Sequence, residues 1–161
     1  MEILWHELTA GMADRGHLAI VLLRTITAVL LGGIIGMQRE RVGKPAGLRT
    51  HMMVSLGTAV VVLACIGSGM GMDGLSRVIQ GIVTGIGFVG AGAILKLTDQ
   101  REIQGLTTAA GLWITAAIGV AVGLGALGLA VIGTVLTVIV LALGSVEEAW
   151  NKRRQSRDSA D

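Results

Sequence analysis

Leu106-Thr-Thr-Ala-Ala-Gly-Leu-Trp-Ile-Thr-Ala-Ala-Ile-Gly-Val-Ala-Val-Gly-Leu-Gly125 continues as Ala126-Leu-Gly-Leu-Ala-Val-Ile-Gly-Thr-Val-Leu-Thr-Val-Ile-Val-Leu-Ala-Leu-Gly-Ser-Val146 without one charged residue. A single helix of about 40 residues would be far longer than a bilayer is thick, because about 20 residues rising 1.5 Å each cross its ~30 Å hydrocarbon core. The stretch therefore reads as two crossings. The break falls within Gly123-Leu-Gly-Ala-Leu-Gly128, where three glycines allow a tight turn.

Working outward, three more apolar runs of similar length precede it: Leu18 to Met37, Met52 to Met72 and Val78 to Leu95. Of the five, only the first holds a charge, Arg24. None carries the polar stripe of a surface helix. The expected fold is an all-α integral membrane protein with five transmembrane helices over residues 18–146. It is flanked by a short N-terminal segment, 1–17, and a basic tail, 147–161. Composition agrees: 52% of the 161 residues are hydrophobic and mean hydropathy is +0.73. Charged residues make up 15%, against about 25% in soluble domains.

Lys and Arg placement sets the expected orientation. Arg39, Arg41, Lys44, Arg49, Lys96, Arg101, Lys152, Arg153, Arg154 and Arg157 fall on one side, whereas Arg15 and Arg77 fall on the other. The N-terminus is expected outside, in the periplasm, and the tail in the cytoplasm. Met1 to Gly16 carries Glu2, Glu7 and Asp14 against one Arg, unlike the basic start of a signal peptide. It reads as a short interfacial segment anchored by Trp5, and the tail is expected to fray beyond Trp150.

Glycines recur at helical spacing. Gly32 and Gly36, Gly81 and Gly85, and Gly119 and Gly123 form three GxxxG pairs, which let helix backbones approach in lipid. Tight packing within the chain is favoured over a homodimer seam. With Gly87, Gly90 and Gly92 added, the third helix is expected to be central. The GxGxxG match at Gly85 to Gly90 lies inside an apolar segment, without the strand that a dinucleotide site requires.

Arg24 has two readings: snorkelling to the outer headgroups, or an inward polar cluster with Asp73, Arg77 and Gln80. Asp73 as a lone carboxylate is a weak metal site, so ion pairing is favoured and any metal is unknown. A second charged group, Arg39, Glu40 and Arg49, belongs to the first basic loop, where Pro45 is rigid and Gly43 and Gly47 permit bends. That loop sets topology, with anionic lipid or a protein partner as the functional alternative. His51 reads as an inert interfacial histidine. A faint parallel repeat relates Arg24 through Gly47-Leu-Arg-Thr50 to Arg77 through Gly105-Leu-Thr-Thr108, with the fifth helix added.

No catalytic set, cofactor site or nucleic-acid surface is legible. Ser55, Ser68 and Ser76 have no plausible base, His6, His17 and His51 are scattered, and Cys65 is the single cysteine. An enzyme is not expected.

Four blocks resemble the membrane domain of the MgtC/SapB family of bacterial inner-membrane proteins: Gly32-Gly-Ile-Ile-Gly-Met-Gln-Arg-Glu40, Gly43-Lys-Pro-Ala-Gly-Leu-Arg-Thr-His51, Gly85-Ile-Gly-Phe-Val-Gly-Ala-Gly-Ala-Ile-Leu95 and Gly105-Leu-Thr-Thr-Ala-Ala-Gly-Leu-Trp113. The likeness spans roughly Arg24 to Gly125. It implies a regulatory membrane protein tied to low magnesium, stress adaptation and virulence. It also implies contacts with membrane complexes such as the ATP synthase or a magnesium transporter, beside the lipid bilayer and the possible homodimer that the helices and their glycines suggest. The expectation is a short form without the soluble cytoplasmic domain of longer members. A small magnesium or proton-coupled transporter, with a pathway along the Gly-lined third helix, is the alternative.

Overall fold

The structure, a computed structural model, describes the backbone of residues 1, 15–97 and 102–158 and the side chains of 16–94 and 104–144. The interfacial segment around Trp5 lies outside the described residues.

Among the described residues, five long helices make up the fold: α1 (Arg15–Arg41), α2 (Leu48–Gly67), α3 (Met72–Gly92), α4 (Leu106–Leu124) and α5 (Leu127–Asp158). Each is long and apolar enough to cross a membrane. Between α3 and α4 lies a feature the hydropathy did not suggest, a small antiparallel hairpin of β1 (Leu95–Leu97) and β2 (Glu102–Gln104). The α5 backbone stays helical to Asp158, eight residues beyond the point at Trp150 where fraying was expected.

The break in the long apolar stretch falls at Gly125, with φ 85°. Gly125 N–H donates to Val122 O at 2.9 Å and Ala126 N–H to Ala121 O at 2.9 Å. This is the paired bonding of a left-handed glycine that ends a helix. In the first basic loop, Gly43 bends as expected (φ 65°), but the second left-handed residue is Ala46 (φ 56°). Gly47 has an extended backbone, φ −85°. Ala46 packs beside Ile86, Leu112 and Ala116, and that contact offsets a left-handed strain of about 1–2 kcal/mol.

The central helix is α4, not α3. Of α4's membrane-spanning window 56% is buried, against 11% for α3, and α4 packs on all four other helices. Glycine content misleads because only some glycines face a neighbour. A Cβ at Gly119 would run into Thr58 Oγ1 and Ser55 O of α2, and one at Gly123 would lie 2.7 Å from Val62 Cβ. On α1, a Cβ at Gly32 would lie 2.6 Å from His51 O, and one at Gly36 would lie 2.7 Å from Leu48 Cα. Two GxxxG pairs thus clamp α2 between α1 and α4. The third does not: Gly81, Gly85, Gly87 and Gly92 have nothing within 4 Å.

Those contacts fix the helix directions. Gly32 and Gly36 meet successively earlier residues of α2, so α1 and α2 run antiparallel; Gly119 and Gly123 meet successively later ones, so α2 and α4 run parallel. Ala28, Leu31 and Ile35 of α1, Ala59 of α2 and Ile118, Ala121 and Val122 of α4 fill the space between, with Ala130 and Leu141 of α5.

Candidate polar core within the bundle

At the end of the bundle that carries the first basic loop, the interior turns from apolar to polar. On α1, Ala28, Gly32, Ile35 and Arg39 follow one another at spacings of four, three and four, so Arg39 extends the buried face rather than the loop surface. It is only 3% exposed. Its Nη2 donates to Thr108 Oγ1 at 2.8 Å, three residues into α4. A charge-assisted bond of this kind compensates part of the cost of burying a guanidinium.

Thr108, Gly111, Thr115 and Gly119, at spacings of three, four and four on α4, present one face to α1 and α2. His51 of α2, wholly buried, lies against this face. The Thr115 hydroxyl donates to Gly111 O at 2.8 Å, which leaves its lone pairs for His51 Nδ1 at 2.7 Å. Gly111 faces the ring: a Cβ there would sit in ordinary contact, 3.6 Å from His51 Cε1. One turn on, Ser55 is also wholly buried. Among the described residues, His51 Nε2, Ser55 Oγ, Arg39 Nε and the half-buried Gln38's Oε1 are buried polar atoms that make no hydrogen bond.

The expected loop group of Arg39, Glu40 and Arg49 is divided among three roles. Arg39 enters the core. Glu40 turns to α2, where Oε2 accepts from Leu48 N–H at 2.9 Å and caps a helix whose own N-cap, Gly47, offers no side chain. Arg49 is exposed.

The expected outer group is likewise not assembled. Arg24 does not join that group: its Nη1 donates to Gly123 O at 2.9 Å, one of the carbonyls left open at the end of α4. A cation there also meets the negative end of the helix dipole. The glycine at 125 serves this contact, because a Cβ would collide with Arg24 Nη2. Asp73, Arg77 and Gln80 are exposed on α3, and among the described residues no ion pair joins them to Arg24. Arg24 and Arg77, equivalent in the faint repeat, thus occupy different surroundings, although Gly47 and Gly105 both stand as N-caps before a Leu. Among the described residues, no three His, Cys, Asp or Glu side chains converge as metal ligands would.

Sequence reading missed Thr108, Thr115 and Ser55 and set His51 aside. The available signal was the shared spacing: Thr108 and Thr115 lie on the glycine face of α4, and His51 and Ser55 lie one turn apart on α2.

A sequence model of the MgtC family matches residues 25–149. SrpB of Synechococcus elongatus is 42% identical over 130 residues, covering 74% of this chain and 71% of SrpB. YhiD of Escherichia coli, whose name assigns it provisionally to magnesium transport, is 42% identical over 127 residues, covering 74% of this chain and 58% of YhiD. Protein MgtC of Salmonella typhimurium is 37% identical over 150 residues, covering 93% of this chain and 62% of MgtC. No solved structure matches. With five membrane-spanning helices, the chain is a multi-pass bacterial membrane protein, and it belongs to the MgtC family.

Proposed function

We propose that the chain serves magnesium homeostasis as a regulatory module that acts by contact with other membrane proteins. The magnesium link rests on family membership and on the name of the relative YhiD. The mode of action rests on one observation: the interior where α1, α2 and α4 meet is close-packed, with glycines set against backbone at Gly32, Gly36, Gly119 and Gly123. The transporter reading placed a pathway along the glycines of α3. Four of those glycines face away from the bundle, which favours contact over conduction. On this reading the basic loops face the cytoplasm, and the Arg39–Thr108 and His51–Thr115 bonds hold the helix ends in the arrangement a partner reads.

A bacterium lacking its own MgtC-family protein and limited for magnesium tests the physiological part. The chain is expected to restore growth, and Arg39→Leu, produced at equal level, is expected to restore it poorly. Equal growth with and without the wild-type chain would remove the magnesium link.

A further inference from the structure

Arg39, His51, Ser55, Thr108 and Thr115 of α1, α2 and α4 are buried, whereas the polar side chains of α3 are exposed. Its buried side is Leu75, Ile86 and Gly90, with Ile79 and Ile82 partly covered. Asp73, Arg77, Gln80 and Thr84, spaced four, three and four, form a single stripe on the opposite side, and all four are exposed. Gln80 and Thr84 lie about 12 and 18 Å along α3 from its start, deep within a ~30 Å hydrocarbon core. Thr25, Thr27, Thr58, Thr115, Thr134 and Thr137 all donate to a carbonyl of the preceding turn. Thr84 makes no such bond, and Gln80 has no partner among the described residues. Lipid offers these groups no hydrogen bond, so another protein surface must cover them.

We infer that the outward stripe of α3 is the seam of a homodimer, covered by α3 of a second copy. The stripe complements itself. Every copy inserts in the same direction, so the two α3 helices meet parallel about an axis along the membrane normal. Asp73 of each then lies one turn from Arg77 of the other, and a primary amide such as Gln80 both donates and accepts, so it pairs with its own copy. Gly81, beside the stripe and open within 4 Å, lets the backbones close to interhelical hydrogen-bond distance. This seam is independent of the regulatory reading: a monomeric regulator would sink the seam alone, and a dimeric transporter would sink the regulatory reading alone.

Cys65 is the single cysteine, so Cys65→Ser supplies a clean background for single-cysteine oxidation in native membranes. Gln80→Cys and Thr84→Cys are expected to give a disulfide-linked dimer. Ile139→Cys, exposed on α5, should give roughly tenfold less product, as a seam worth about 1.4 kcal/mol or more implies. Monomer at positions 80 and 84, or a cross-link there to a different protein, would overturn the seam. Charge exchange separates pairing from misfolding. Arg77→Asp alone should lower the dimer, and Asp73→Arg added to it should restore it; no restoration would also overturn the proposal.

Discussion

Gly119→Val is expected to prevent α2 and α4 from assembling, at a loss of about 3 kcal/mol or more. The new side chain would occupy space held by Thr58 Oγ1 and the Ser55 backbone, with Ser55 Cα only 2.9 Å from the Cβ position. Backbone cannot step aside as a flexible side chain can. Gly57→Val, on the exposed side of α2, is the matched comparison, since nothing lies within 4 Å of its Cβ, and it should leave the fold's stability within about 0.5 kcal/mol. Unfolding of both variants in detergent, followed by helix content, reads the difference. Equal loss in the two would mean that the seams are misassigned.

Arg39→Leu has the second-largest expected effect, a destabilisation of about 2–3 kcal/mol through loss of the charge-assisted bond to Thr108. Thr108→Val should cost at least as much, because it leaves the buried guanidinium without its hydroxyl acceptor. The two losses should not add, since they remove one shared interaction. Arg49→Ala, on an exposed residue of the same basic region, should stay within about 0.5 kcal/mol. Additive losses in the double variant would show that Arg39 and Thr108 act separately.

Hydropathy alone carried the helices and their order, because a bilayer demands about 20 apolar residues per crossing and charge is confined to the joints. The turn at Gly125 was legible for a related reason: few residues other than glycine end a helix in the left-handed region. Helix arrangement was not legible from glycine counts. Gly81 and Gly85 match the motif of Gly119 and Gly123, but only the second pair meets a neighbour, and spacing cannot say which way a helix is turned.

Side-chain roles failed for a related reason. Arg39, Glu40 and Arg49 are close in sequence yet point to α4, to the N-terminus of α2 and outward, because a helix end and a six-residue loop separate their directions. Arg24 found a partner 99 residues away in the Gly123 carbonyl. A backbone acceptor has no signature in sequence, whereas Asp73 and Arg77 drew attention because charges are visible there. The hairpin from Leu95 to Gln104 escaped notice because its three-residue strands are too short to show a period of two.

The central claim is that the chain works by contact and that its packed interior conducts nothing. Magnesium and proton flux into liposomes holding the purified, folded and inserted chain tests it most directly. The account predicts flux equal to that of empty liposomes, unchanged by Arg24→Ala or Asp73→Asn. Saturable magnesium flux that either substitution abolishes would contradict it and establish a transport pathway.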